Sequence, residues 1–133
     1  MPWTPNLSVG VASIDSEHKE LIGKIDALYE AGRNHKSSEY VGELLKFLHD
    51  YTKTHFAHEE TYMLSIRYPG YDQQKQQHTA FIEHLDKLQK EFDKSGGSLL
   101  VILDANQFML NWLTKHITVL DKQIGEYAKK LQQ

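Results

Sequence analysis

The segment LLKFLHDYTKTHFAHEETYMLSI, residues 44–66, carries the pattern that decides the fold. Its apolar residues recur at spacings of three and four, which is typical of one face of an α-helix. His55 and Glu59 continue the series that begins with Leu44, so an imidazole and a carboxylate share the apolar face. The segment therefore predicts a long amphipathic helix that carries a polar site on its buried side.

Three further segments with helical spacing flank this one, and the breaks between them are residues 34–38, 68–70 and 95–98. None of the segments alternates with a period of two, so β-strands are not expected. Short breaks between long amphipathic helices favour antiparallel neighbours. We therefore expect an all-α, up-down-up-down antiparallel four-helix bundle that forms a single domain over 1–133. An extended N-terminal arm (1–12) and a short C-terminal helical extension complete it, and the candidate N-caps are Asp15, Ser38, Asp72 and Ser98.

The composition excludes several classes of function. The chain has 133 residues, no cysteine and a net charge of −3 from 15 basic and 18 acidic residues. Disulfides, thiolate metal sites and cysteine nucleophiles are therefore excluded, and neither nucleic acid nor an anionic membrane is an expected partner. No apolar run approaches the roughly 18 residues of a membrane span, and the N-terminus lacks the pattern of a secretory signal. A cytoplasmic location is expected.

The histidines indicate a metal site. Four of the eight fall on apolar faces, one on each predicted helix: His18, His55, His78 and His116. Glu59 and Asp121 share these faces, and a buried carboxylate is tolerated when it is paired or bound to a metal. Converging imidazoles and carboxylates are a usual way to hold two metal ions in a bundle, although these ligand types suit several metals. The remaining histidines are expected in solvent: His35, His49, His58 and His84.

The spacing of His116 and Asp121 requires a local irregularity. Five residues correspond to about 140° around a regular α-helix, so the two side chains would not face one site. A π-bulge between them would bring both inward, and such bulges are frequent at functional sites. We therefore expect a widened turn at this point, or an Asp121 that reaches across.

With these residues in view, the chain resembles the bacterial hemerythrins over nearly its whole length. The opening runs from Trp3 through Val9-Gly10-Val11 to Ile14-Asp15-x-x-His18-Lys19-x-Leu21. The matching motifs that follow are His55-Phe56-x-x-Glu59-Glu60-x-x-Met63, Tyr68-Pro69-Gly70-Tyr71 with His78-x-x-Phe81, and Trp112-Leu113-x-x-His116-Ile117-x-x-x-Asp121. Four motifs in the right order make the resemblance specific.

The resemblance implies a non-haem di-iron centre, bridged by an oxo or hydroxo group, that binds dioxygen for storage, delivery or sensing without turnover. By position, His18 and His55 would hold one iron, and His78 and His116 the other. Glu59 and Asp121 would bridge both ions. An apolar oxygen pocket would be lined by Ile22, Phe56, Leu113 and Ile117, and Trp112 is assigned to bundle packing.

One position departs from the family pattern, since Gln74 stands where the family has a further histidine on the second iron. Three outcomes are open. Gln74 coordinates weakly or through water, or the second iron becomes labile, or the opened position shifts the chemistry towards an oxidase or peroxidase. A metal-binding bundle without oxygen chemistry is the alternative from another class. The residues indicate no partner protein and no oligomeric state.

Overall fold

Four long helices form the molecule. The structure, a computed structural model, describes residues 3–34, 36 and 38–131, and among these no β-strand occurs. The helices are α1 (Ala12–Arg33), α2 (Ser38–Ser65), α3 (Tyr71–Ser95) and α4 (Leu99–His116). α1 and α3 each pack against both α2 and α4, so the predicted up-down-up-down bundle is confirmed. No helix in the described part of the chain is both long and apolar enough to cross a membrane.

The fourth helix does not stop at His116. It continues through a π-helical turn (Ile117–Asp121) into α5 (Lys122–Leu131), so the predicted C-terminal extension is a continuation of α4. α1 and α3 end at the predicted breaks, whereas α2 already ends at Ser65, before the break predicted at residues 68–70. α3, for example, ends where Gly96 adopts a left-handed φ of 69°, a conformation that glycine enters without steric cost.

The predicted side-chain N-caps are not observed among the described residues. α1 begins at Ala12, so Asp15 lies inside its first turn, and α3 begins at Tyr71, so Asp72 lies inside that helix. Ser98 precedes α4, but its side chain makes no capping hydrogen bond. The side chain of Ser38 lies outside the described residues. The prediction for Asp15 was wrong because the N-terminal arm supplies other donors for its carboxylate.

The N-terminal arm is packed rather than simply extended. It contains a 3-10 turn (Pro5–Leu7). The Ser8 hydroxyl donates a hydrogen bond of 2.5 Å to Asp15 Oδ2, and the Val9 amide donates one of 2.9 Å to Asp15 Oδ1. The arm then passes so close to α5 that a Cβ on Gly125 would lie 1.5 Å from the Val9 carbonyl oxygen. The arm thus links the start of α1 to the helix that follows the π-turn.

The bundle core has an apolar end and a polar end. Antiparallel helices place the N-terminal halves of α1 and α3 beside the C-terminal halves of α2 and α4. The predicted metal ligands lie in those halves, except Asp121, which lies in the π-turn that follows α4. The opposite end is filled by apolar side chains, among them Ile25, Leu28, Leu45, Leu88, Phe92 and Ile102. The buried apolar surface therefore holds the four helices together while the polar end remains available for chemistry.

We predict that Gly125→Ala destabilises the fold, since the new methyl group collides with backbone rather than with a flexible side chain. The expected loss is about 1–3 kcal/mol in the free energy of unfolding, measured by urea denaturation. Gly23→Ala is the matched control, because this exposed helical glycine has open space around its Cβ position. It should leave stability unchanged or raise it by up to about 1 kcal/mol. Equal effects of the two substitutions would contradict the close approach of the arm.

Candidate metal centre

The six predicted ligands meet at the polar end of the bundle. Their side chains come from α1, α2, α3, α4 and the π-turn, and each is between 0% and 3% exposed. They are His18, His55, Glu59, His78, His116 and Asp121. Within the described residues five of them form two compact groups that share Glu59, one with His18 and His55 and one with His78 and His116.

The first group surrounds one oxygen of each carboxylate. Glu59 Oε2 lies 3.3 Å from His55 Nε2 and 3.7 Å from His18 Nε2. Asp121 Oδ2 lies 3.2 Å from the same nitrogen of His18. Two imidazoles and two carboxylate oxygens thus face one point.

The second group surrounds the remaining oxygens. Glu59 Oε1 lies 3.1 Å from His78 Nε2, and Asp121 Oδ1 lies 3.2 Å from His116 Nε2. Each carboxylate therefore directs one oxygen to each group. This is the arrangement that a carboxylate adopts when it connects two neighbouring cations.

The hydrogen bonding of these atoms fits a pair of metal ions. Within the described part of the chain, no well-aligned hydrogen bond satisfies Nε2 of His18, His78 or His116, either oxygen of Glu59, or Asp121 Oδ2. Buried polar atoms without partners are costly and rare in proteins. Because these atoms face shared points and are of types that bind iron, the donor set fits a dinuclear metal centre.

The predicted π-turn is confirmed, and it places Asp121. The widened segment Ile117–Asp121 directly follows His116, and Asp121 is 1% exposed. The turn compensates for the five-residue spacing, so both side chains reach the same group. Without it, Asp121 would point away from His116.

Gln74 points into the site rather than to solvent. It is 2% exposed, and its Nε2 donates a hydrogen bond of 3.0 Å to Asp121 Oδ1. Its Oε1 is buried with no hydrogen-bond partner among the residues described. The second group therefore has two imidazoles and an amide, and the amide orients the carboxylate of Asp121.

The buried imidazoles and carboxylates of the cluster shift one another's pKa. Burial raises the pKa of Glu59, but His18, His55 and His78 around it outweigh this effect and hold its pKa well below the usual range. Burial lowers the pKa of His55, yet Glu17, Glu59 and Asp121 raise it to about 9. The pKa of His18 is also raised, because Asp121 and Glu59 overcome the effect of its burial. The raised pKa of both imidazoles and the lowered pKa of Glu59 thus have one cause, the close contact of opposite charges.

Aromatic rings stack on two of the imidazoles. Phe56 lies parallel to His78 with 3.8 Å between ring centroids, and Trp112 stacks on His116 at 4.3 Å. Trp112 therefore contacts a predicted ligand directly, beyond the packing role expected for it. All four predicted pocket residues are buried, namely Ile22, Phe56, Leu113 and Ile117. Their role as the wall of an oxygen pocket stays a prediction.

Three side-chain contacts that position the imidazoles do not follow from the sequence pattern. The outer nitrogens (Nδ1) of the imidazoles at 55, 78 and 116 bond to side chains of neighbouring helices: Glu17, Glu60 and Gln77, respectively. Glu60 lies beside Glu59 in the second helical motif, which is the one available signal. Nothing in the sequence connects Glu17 with a histidine 38 residues away.

The remaining histidines differ in their surroundings. His58 and His84 are exposed, as expected, but His58 bonds to Glu17 and His84 stacks on Phe108. The prediction was wrong for His49, whose side chain is only 17% exposed and hydrogen-bonds to Asp86 of α3. His35 lies outside the described residues.

The fold and the donor set together define a class of protein, the four-helix bundle with a dinuclear histidine–carboxylate centre. Comparison with known proteins identifies the family, since residues 9–128 match the model of the hemerythrin HHE cation-binding domain. The chain belongs to the hemerythrin family, a family of di-iron proteins that bind dioxygen. The resemblance seen in the sequence is thereby confirmed.

Individual relatives span nearly the whole chain. The chain is 31% identical to a bacteriohemerythrin of Methylococcus capsulatus, over 94% of each protein. It is 28% identical to hemerythrin subunit 1 of Golfingia vulgaris, over 90% of this chain and 85% of that one. A crystal structure of wild-type hemerythrin superposes with a TM-score of 0.86 at 28% identity and covers 95% of both chains.

We predict opposite pH dependences for the metal-free fold and for metal binding. The pKa of His55 is raised from 6.5 to about 9, so its stabilising effect is complete below pH 6.5 and lost as the pH rises towards 9. Metal binding needs the deprotonated imidazole and should strengthen over the same interval. The free energy of unfolding of the stripped protein, measured at about pH 6 and about pH 9, should therefore be lower at the higher pH.

Two variants test whether His55 causes this pH dependence of the unfolding free energy. His55→Gln should flatten the pH dependence of the unfolding free energy, whereas His84→Gln, at an exposed position, should leave it as in the wild type. A stripped protein that becomes more stable with rising pH would contradict the raised pKa of His55.

Proposed function

We propose that the chain binds dioxygen reversibly at a di-iron centre held in the polar end of the bundle, for storage, delivery or sensing. One observation carries the proposal. Glu59 and Asp121 each direct their two oxygens to two separate groups of imidazoles, and most of these atoms are unpartnered within the described residues. When bound, the iron pair supplies the reversible affinity for dioxygen that characterises the family.

The distances support an assignment of ligands. His18 and His55 would hold one iron, and His78 and His116 would hold the other. Glu59 and Asp121 would connect both ions, since each has an oxygen within 3.7 Å of a ring nitrogen in each group.

The apolar residues around the centre would exclude water. Phe56 covers one face of His78, and Ile117, which is fully buried, follows His116 directly. Leu113 and Ile22 are buried near the same end of the bundle. A dry surrounding would keep water and protons away from the centre and so would favour reversible dioxygen binding over oxidation of iron.

Gln74 makes the ligand sets of the two iron positions unequal. Its amide N–H is engaged by Asp121, and an amide oxygen is a weaker ligand for iron than an imidazole. We propose that the second iron is therefore held less tightly than the first. The same observation favours one alternative, an oxidase or peroxidase activity at the more open second position, because a free coordination position is typical of catalytic metal sites.

Anaerobic reconstitution with ferrous iron tests the function. We expect two irons per chain and an optical band that appears with dioxygen and disappears when dioxygen is removed. A band that never reverses, together with steady consumption of a reductant by peroxide, would support the oxidase or peroxidase alternative. Two irons per chain without any dioxygen-dependent band would leave a metal-binding bundle and overturn the proposal.

We predict that Gln74→His strengthens the binding of the second iron, because a third imidazole joins the second group. Chelator competition should then remove the two irons over a narrower concentration range than in the wild type, where one iron should leave first. Gln76→His is the matched control, since it adds a histidine to the exposed side of the same helix. Equal retention of iron in both variants would show that position 74 does not govern the second site.

The surroundings proposed for the protein follow from composition. We propose a cytoplasmic location, which a chain without cysteine fits. We propose no nucleic-acid partner, because a net charge of −3 does not favour binding to a polyanion. We propose that the whole chain, 1–133, acts as one hemerythrin domain whose ligand is dioxygen.

A further inference from the structure

Two glutamates outside the metal-facing cluster repeat one arrangement on successive helices. Glu17 of α1 bonds to His55 and His58 of α2, and Glu60 of α2 bonds to Lys75 and His78 of α3. In each case a carboxylate from one helix joins two residues, three positions apart, on the next helix. One of the two is a buried imidazole of the cluster, and the other is a surface residue.

The distances show that both oxygens of each glutamate are engaged. Glu17 Oε1 lies 2.8 Å from His55 Nδ1, and its Oε2 lies 2.6 Å from His58 Nδ1. Glu60 Oε2 lies 2.8 Å from His78 Nδ1, and its Oε1 accepts a hydrogen bond of 2.8 Å from Lys75 Nζ. A carboxylate held at both oxygens has little freedom to rotate, so it fixes the ring that it contacts.

Burial separates the inner partners from the outer ones. The side chains of His55 and His78 are 1% and 2% exposed, whereas those of His58 and Lys75 are 62% and 53% exposed. The glutamates lie between them. The outer residues can thus hold each carboxylate in place without themselves reaching the cluster.

The hydrogen-bond acceptor at Nδ1 determines whether Nε2, on the other side of the ring, has a free lone pair. When Nδ1 carries the proton and donates a hydrogen bond to a carboxylate, the lone pair of Nε2 faces the cluster and can bind a metal. His116 has the neutral Gln77 as its acceptor instead, at 3.0 Å. Each group of the cluster therefore contains one imidazole that is supported by a carboxylate.

We propose that Glu17 and Glu60 are positioning residues that fix the orientation and tautomer of His55 and His78, so that one imidazole in each group is preset for a metal ion. The proposal rests on the proposed metal centre. It adds to that centre two carboxylates that never touch the ions, and it gives the exposed His58 and Lys75 a structural purpose.

Zinc binding measured by chelator competition tests the proposal, because zinc needs no dioxygen chemistry. Glu17→Ala should lower the affinity for one zinc ion by about 10–100-fold. Glu17→Gln keeps an acceptor oxygen and should therefore retain most of the wild-type affinity. Glu20→Ala is the matched control, since it removes the same charge from an exposed position one turn along α1. Glu60→Ala should lower the affinity for the other zinc ion, because the two glutamates contact imidazoles of different groups.

A spectroscopic readout separates positioning from a general structural role. In the zinc-loaded wild type, the Nδ1 proton of His55 should be protected and visible by NMR. It should vanish in Glu17→Ala and persist in Glu17→Gln and Glu20→Ala. Zinc affinities of Glu17→Ala and Glu20→Ala that agree, with the proton retained in both, would overturn the proposal. A wild type that binds zinc as expected but shows no dioxygen band with iron would instead overturn the proposed function and leave the positioning role intact.

Discussion

The structure depends on the burial of two carboxylates inside a helical bundle. Glu59 and Asp121 are each 1% exposed, and an ionised carboxylate taken from water without compensation costs several kcal/mol or more. Compensation comes from imidazoles on all four long helices, which is why the polar end needs the complete bundle. The helices must keep their relative rotation for the charges to stay balanced, and the apolar end of the core provides the packing that keeps it.

Several irregular features serve the same constraint. The π-turn exists where a regular helix would direct Asp121 away from His116. The segment after that turn is then held by the N-terminal arm, whose Val9 carbonyl fits only against a glycine at position 125. Gln74 completes the surroundings by donating to Asp121. A change far from the cluster, such as a methyl group on Gly125, therefore acts on the segment that carries one of the two carboxylates.

The sequence predicted the architecture and the inward-facing set of residues well. Helical spacing identified the four helices, and the same stripes placed His18, His55, His78 and His116 on buried faces, where the structure has them. The five-residue spacing before Asp121 predicted a widened turn or an Asp121 that reaches across, and the structure has the widened turn. These predictions succeed because periodicity is a local property, and because a polar residue on an apolar stripe has few ways to be satisfied.

What the sequence by itself determined is which face of each helix is buried and which polar residues lie on it. Only the tertiary structure decided the partners across helices, such as Glu17 with His55, His49 with Asp86, and Val9 with Gly125. It also decided that Asp15 serves the arm rather than a helix start. The reason is physical: a stripe defines a direction around one helix axis, whereas a contact between distant residues depends on the rotation and axial offset of two helices, which the packing of the whole core sets.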